Sequence, residues 1–472
     1  MFFFAGHYVS GDTAQRIAWA KALLNGSNDI SAYYPGLRFT KYGIGGSLMH
    51  MPFLLIAAGI KRMTGIRCEG PVNMMLYEIN GALGVTLIYS ILRDRCGLTS
   101  RDAFIRAVVI GFATVWFAYT KVEYAESLAA VALLATLRFA DSRSLIAGFA
   151  GGLSIAIRPD SLLWFLPTAI CGSRNRASLV KLLAGTIPWV VVILWSNYAR
   201  TSHIWSSGYE VNFTTPFLLG VYGLLFSAGK SALIFSPLLL LYCSAVSRLW
   251  PEKSMRWLAN WSLMMVVGQL CFFGKWWDWS GDDSWGPRLI IFATLAALLT
   301  IAATDSARTR WFALLAIVGF LVQLPPLLIG PHTVILMDHG RLVEGGDWSS
   351  AAMPLSLDQV RFDPAYSQLV NTTNLLLLKI LPSSRTLQST RWMTSEPPVS
   401  TNIPIDILWV RLLMTRSCGW WRVCRHSPEN TLQVLLSDPF PITSSILSKT
   451  LKPTKRPNKP SGGNTKMKRL LD

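Results

Sequence analysis

The chain has 472 residues, of which 51% are hydrophobic and only 15% charged, with a formal net charge of +18 and a mean hydropathy of +0.37. This excludes an ordinary soluble enzyme; the basic residues punctuate apolar runs instead of forming one patch, which argues for membrane topology and against nucleic acid as a partner. Seven scattered cysteines show no CxxC or other metal-ligand spacing, so neither a disulfide scaffold nor a zinc site is indicated.

In chain order, residues 1–70 read as an external first loop with interfacial helices. Phe2 to Phe4 read as the stub of a first transmembrane helix lying upstream, and a helical pattern follows the Gly-Asp of "YVSGDTAQRIAWAKAL". The apolar run Leu48 to Ile60, followed by Lys61 and Arg62, is short for a crossing and reads as interfacial or re-entrant. A spanning helix there would invert every later loop relative to Asp12. Residues 71–330 read as an all-α transmembrane domain. Its predicted spans are Pro71 to Leu92, Phe104 to Thr120, Tyr124 to Ala140, Ser144 to Ile157, Ser161 to Cys171, Ser178 to Tyr198, Ser231 to Val246, Trp257 to Gly274, Leu289 to Ala303, and Trp311 to Ile329.

Connectors holding Arg93, Arg95, Arg101 and Arg106, then Arg143, then Arg174, Arg176 and Lys181, then Arg248, Lys253 and Arg256, then Arg308 and Arg310, fall on alternate turns of the chain. They are expected on the cytoplasmic side. Lys121 to Glu126, Arg158 to Asp160, Arg200 to Pro216, and Gly274 to Arg288 are expected outside. Residues 331–448 read as a polar C-terminal extension and 449–472 as a basic, disordered tail.

Three acidic clusters converge on the outer face under this topology. Asp12 sits near a helix start and is either an N-cap or a reactive carboxylate. Glu123 and Glu126 are spaced to share a helical face, either as site residues or as a solvated helix end paired with Lys121. The third cluster is "GKWWDWSGDDSWGPR", with Asp278, Asp282, Asp283 and Arg288. Its tryptophans Trp276, Trp277, Trp279 and Trp285 suit an interfacial belt, but a belt needs no interleaved acids and arginine. Aromatic faces, carboxylates and a forked guanidinium suit a ligand that is part carbohydrate and part phosphate, with Trp277 and Trp285 toward sugar and Arg288 toward phosphate. Lys230 and Arg158 either add charge for that phosphate or snorkel to the interface.

The segments "VSGDTAQRIAWAKAL", "KYGIGGSLMHMPFL", "YTKVEYAESLAAVALL", "GLLFSAGKSALIFSPLLLL" and "WWDWSGDDSWGPRLI" occur in an order and spacing that resembles the GT-C type integral-membrane glycosyltransferases. These use polyprenyl-phosphate sugars and include protein mannosyltransferases and lipid A aminoarabinose transferase. The resemblance covers roughly the first 300 residues. It implies a GT-C bundle of about ten or more transmembrane helices with external catalytic loops, an integral-membrane location in a bacterial inner membrane, and a site facing outward. It also implies Asp12 as general base or acceptor-orienting residue, Arg288, Lys230 and Arg158 on the donor phosphate, and Glu123, Glu126, Asp278, Asp282, Asp283, Trp277 and Trp285 around sugar or acceptor. Some relatives use a divalent metal, for which Asp282 and Asp283 offer oxygen ligands. Membrane lipid and a polyprenyl-phosphate sugar are the implied partners. Both chain ends depart from the family pattern, which keeps an inactive scaffold among the alternatives.

A transporter or flippase is the main rival. It would place charged or helix-breaking residues near the midplane and often shows repeat symmetry, whereas here charges cluster at span ends and no repeat is evident. "GLLFSAGKSAL" imitates a phosphate loop, but its first glycine is displaced by one residue and no strand pattern precedes it. "ILMDHGRLVEGG" resembles a fragment of transporter ATPase domains without the motifs that would accompany it.

Overall fold

A computed structural model of the protein describes residues 11–206, 208, 212–281, 284–328, 361–364 and 367–380. The stub Phe2 to Phe4, Asp282, Asp283, the basic tail, and the separate unit Ser427–Asp472 lie outside the described residues. Among the described residues every regular element is helical, as expected for an all-α polytopic membrane protein.

The chain opens with α1 (Gly11–Leu24) and α2 (Ile44–Thr64), then α3 (Glu69–Asp94), α4 (Ser100–Phe112), α5 (Val115–Tyr119), α6 (Ala125–Phe139), α7 (Ser144–Ile157) and α8 (Ser161–Gly172). There follow α9 (Arg176–Gly185), α10 (Ile187–Thr201), α11 (Phe217–Phe226), α12 (Ala232–Phe235), α13 (Tyr242–Leu249), α14 (Arg256–Lys275), α15 (Ile291–Ala302), α16 (Arg310–Leu328) and α17 (Gln368–Ile380). By length and composition α2, α3, the α9–α10 pair, α14 and α16 can each cross a membrane, and shorter apolar helices accompany them.

Several predicted spans are broken for visible reasons. Phe104 to Thr120 divides into α4 and α5, because the Thr114 hydroxyl accepts the Trp116 amide and restarts the helix. Pro188 restarts α10 after α9 ends at Gly185. Ser231 to Val246 becomes α12, a 3-10 turn opened by Pro237, and α13. The run Leu48 to Ile60 is part of the longer α2, 21 residues and long enough to span. Phe217–Phe226 forms α11, an apolar helix that no predicted span covered.

Helices α6 and α15 are buried on nearly every face and form the centre, as the largely apolar sequences around their whole circumference require. The α9–α10 pair lies at the periphery and exposes Val180, Leu183, Val190, Val191 and Trp195, an apolar face suited to lipid. At one end of the bundle Arg95, after α3, donates to the carbonyls of Leu137 on α6 and Gly172 on α8, the latter at 2.9 Å. Its guanidinium lies 4.3 Å over the Trp257 ring of α14. Arg95 and Arg174 both reach Asp141, at 3.4 and 3.3 Å, while Arg106 on α4 donates to the Thr304 carbonyl beyond α15 at 3.0 Å. The connectors after α3, α6 and α8 and the start of α14 therefore meet at one end. The other end carries Asp12, Glu126, Arg158 and Arg288.

Candidate active site

Asp12 lies in the first turn of α1, where its carboxylate accepts a hydrogen bond from the Tyr42 hydroxyl. Tyr42 is placed by the segment entering α2: Arg200 of α10 donates to the carbonyls of Thr40 and Tyr42 at 2.6 and 3.1 Å, while stacking 4.7 Å over Trp19. Four residues on from Asp12, Arg16 is buried, with its guanidinium 4.4 Å from the centre of the Tyr42 ring. Its side chain crosses directly over Gly46, where a Cβ would meet the Arg16 Cδ at 2.8 Å. Arg16 Nε and Nη1 make no hydrogen bond among the described residues.

Arg288 reaches this carboxylate from the far end of the chain. Its Nη1 is 3.5 Å from Asp12 Oδ2, its Nε is 3.3 Å from Glu126 Oε1, and its guanidinium covers the Tyr124 ring at 4.5 Å. Glu126, in the first turn of α6, also accepts from Arg158, whose Nε lies 2.9 Å from Asp160 Oδ1. The result is an alternating row, Asp12, Arg288, Glu126, Arg158, Asp160, most of it shielded from solvent. Such a row is costly to bury unless every charge is paired. Burial alone would raise the Asp12 carboxyl, but Arg288, Arg16, the Tyr42 hydroxyl and Lys41 outweigh it and hold the group below its ordinary value. Asp12 is therefore ionised at neutral pH.

Glu123 does not share a helical face with Glu126. Tyr124 is the N-cap and α6 starts at Ala125, so Glu123 belongs to the preceding connector. Its backbone carbonyl accepts from the Thr13 hydroxyl, and its carboxyl is fully buried, which pushes it up to about 8. Lys121 donates to the Leu327 carbonyl at 2.6 Å.

The loop from Trp276 to Arg288 is fixed from several sides. Gly281 and Gly286 take left-handed backbone angles, φ 70° and 61°, that turn it sharply. Lys230 is buried beneath it and donates to the Ser284 carbonyl. Tyr119 donates to the Trp285 carbonyl at 2.7 Å, and the Trp285 indole donates to Gln323 at 3.2 Å. Two expectations are corrected here. Trp285 is 0% exposed with Phe235 at 4.9 Å, so it is a core residue with no ring face left for sugar. Lys230 is a tether of the loop from below. Asp278 is also buried, accepting from Ser280 at 3.0 Å and lying 3.5 Å from Arg361. Trp279 packs on Phe362 at 5.6 Å. Trp277 remains half exposed. Asp282 and Asp283 lie outside the described residues.

The structure thus brings Asp12, Glu126, Arg158 and Arg288 together, and adds Arg16, Tyr42, Tyr124 and Asp160, which sequence reasoning missed. The i to i+4 spacing of Asp12 and Arg16 on one helix was the available signal. Among the described residues no three His, Cys, Asp or Glu side chains converge as metal ligands, and Asp282 and Asp283 lie outside them.

No protein-family model matches the sequence, and no curated protein matches it significantly. Among solved structures the chain is similar to ArnT from Cupriavidus metallidurans in the apo state, at 13% identity and a TM-score of 0.44 over 69% of this chain and 62% of that one. It is also similar to ArnT from the same organism bound to undecaprenyl phosphate, at 14% identity and a TM-score of 0.44 over 82% of this chain and 70% of that one. The chain therefore spans under two thirds of the first of these structures.

Proposed function

We propose that this protein is a GT-C type membrane glycosyltransferase that moves a sugar from a polyprenyl-phosphate donor to an acceptor at the outer face of a bacterial inner membrane. The observation that carries the reading is the pairing of the partly exposed Asp12 carboxylate with the buried Arg288 guanidinium at 3.5 Å, beside Arg16. The order of the five sequence segments that resemble the family supports it. One ionised carboxylate and several cations on a single face match what the reaction needs.

The acceptor's oxygen or nitrogen attacks the anomeric carbon while the bond from that carbon to the phosphate oxygen breaks. The electron pair leaves with the phosphate, and the acceptor's proton passes to an Asp12 oxygen. Arg288 receives the developing phosphate charge, with Arg16 and the exposed Lys41, whose ammonium is 5.7 Å from the Tyr42 ring, supplying further compensation. Glu126, itself paired with Arg158, holds Arg288 in place. Trp277 offers a ring face to the sugar, and Asp278, Asp282 and Asp283 lie on the same loop. Glu123 supports the acceptor side.

Purified full-length protein in proteoliposomes is expected to consume a polyprenyl-phosphate sugar and release the lipid phosphate. Asp12→Asn is expected to lower turnover by about 10²-fold or more. Movement of the lipid across the bilayer without turnover would replace this reading with a transporter.

A further inference from the structure

Residues 361–364 and α17 lie beyond the part of the sequence that resembles the transferase family, yet they pack onto the bundle. Ser367, Gln368, Asn371 and Thr372 are buried, Leu369 packs against the main core, and α17 lies against α16. This anchors the short segment ahead of α17, which touches three elements at once. The Arg361 carbonyl accepts from the Gly229 amide at 3.0 Å. The Arg361 guanidinium lies 3.5 Å from Asp278 Oδ1 and 5.6 Å from the centre of the Trp279 ring. The Phe362 ring packs 5.6 Å from Trp279 and 6.3 Å from Tyr222 of α11.

The Gly-Lys pair that imitates a phosphate loop is the joint of this arrangement. Gly229 holds the Arg361 backbone, and Lys230 holds the Ser284 carbonyl. The site loop is thereby divided by what holds it. Residues 284–288 are tied to the core through Lys230, Tyr119 and Gln323. The backbones of Trp276 and Trp277 are tied to the segment before α11: the Trp276 carbonyl accepts from Thr215 at 2.7 Å, and the Trp277 amide donates to the Asn212 carbonyl at 3.1 Å. Asp278 and Trp279, which come next, meet Arg361 and Phe362. A buried carboxylate is costly without a cation, and Trp279 is also pressed against Gly223, so the C-terminal segment fixes both side chains of this pair.

The consequence falls on sugar recognition and not on the reacting pair. Trp277 is half exposed and directly precedes the braced residues, so a shift of Asp278 and Trp279 displaces its ring. Arg288 has its own tethers at the other end of the loop. We propose that Arg361 and Phe362 are positioning residues for the sugar-facing part of the site loop, and that the chain beyond the family resemblance thereby contributes to recognition of the donor sugar. This inference rests on the transferase reading.

The test uses full-length protein in proteoliposomes with the polyprenyl-phosphate sugar that wild type turns over fastest, and with sugar-free polyprenyl phosphate as inhibitor. That inhibitor engages the phosphate cations but not the sugar-facing residues. Arg361→Met and Phe362→Leu are expected to raise the donor KM by about 5-fold or more. The Ki of polyprenyl phosphate should stay within about 2-fold of wild type, and the acid limb of the kcat/KM profile should stay in place. A merely structural role would move KM and Ki together. An unchanged donor KM in either variant, or a Ki that rises in step with it, overturns the inference. Phe362→Leu leaves no charge unpaired, so it remains informative if Arg361→Met fails to fold.

If wild-type protein shows no turnover with any polyprenyl-phosphate sugar, the transferase reading itself falls, and the brace is read by hydrogen exchange. Faster exchange of the amides of residues 278–281 in both variants, with residues 285–288 as in wild type, supports the brace. Equal exchange in all forms overturns it.

Discussion

Asp12 pays for its low proton affinity with the positive charges that surround it, and among the side chains lowering its pKa, Arg288 has the largest effect. A carboxyl depressed in the folded state contributes stability that is present above its unfolded value and lost as pH falls through the folded one. The same depression keeps the base ionised on the acid side of neutrality. In Arg288→Gln the cost of burying the negative charge is less opposed, so the Asp12 carboxyl should titrate at higher pH. The acid limb of the kcat/KM profile is therefore expected to move upward in pH, along with a loss in kcat of about 10²-fold for the missing phosphate partner. A limb that stays in place would remove Asp12 as the titrating group. Asp12 and Arg288 could be read from sequence because a Gly-Asp before a helical pattern and a Gly-Pro-Arg after an aromatic loop are local signals. Lys230 and Trp285 could not, because their partners Ser284 and Gln323 lie 54 and 38 residues away. Glu123 was misread because its distinction from Glu126 depends on where α6 begins.

Helix α14 carries the site loop at its end, so its contact with α11 helps set where Arg288 comes to rest. The two helices approach through glycines: a Cβ added at Gly220 would stand 2.1 Å from the Gly274 carbonyl oxygen, which is rigid backbone. Gly223 is similarly pressed against the Trp279 ring, with 2.2 Å to the nearest atom. Gly220→Ala should force the helices apart and cost about 1–3 kcal/mol, seen as a lower Tm together with reduced turnover. Gly59→Ala is the control, because a Cβ there meets nothing within 4 Å inside α2. It should stabilise by about 0.5–1 kcal/mol. Equal behaviour of the two variants would show that the crossing is more compliant than its geometry implies. Most helices were legible from apolar runs, and α7 was read to the residue. Helix α11 was missed because its apolar run passes through a glycine-rich stretch that imitates a phosphate loop, and only the close glycine packing explains those residues.

The described helical bundle has two charged ends that differ in kind. At the end built from Arg95, Arg106, Asp141 and Arg174, basic residues cap helices and neighbouring connectors expose more of them, the pattern that retains loops in the cytoplasm. At the other end Arg16, Arg158, Arg200 and Arg288 are largely buried against carboxylates, carbonyls or rings. Their positive charge is spent inside the protein and adds little to topology, so the site end should face outside despite its arginines. Asp12 and Arg288 lie 3.5 Å apart, so a spanning α2 would not separate them, and one pair of positions suffices to fix the orientation. Ser142, in the connector after α6, and His203, after α10, are both exposed. Single cysteines at these positions, with all seven native cysteines replaced, can be treated with an impermeant thiol reagent. His203→Cys is expected to react in intact cells and Ser142→Cys only after lysis. The reverse pattern would put the carboxylate and its cations in the cytoplasm, and the donor would have to present its phosphate there. Labelling of both from one side would contradict the separation of the two ends and with it the bundle that joins Asp12 to Arg288.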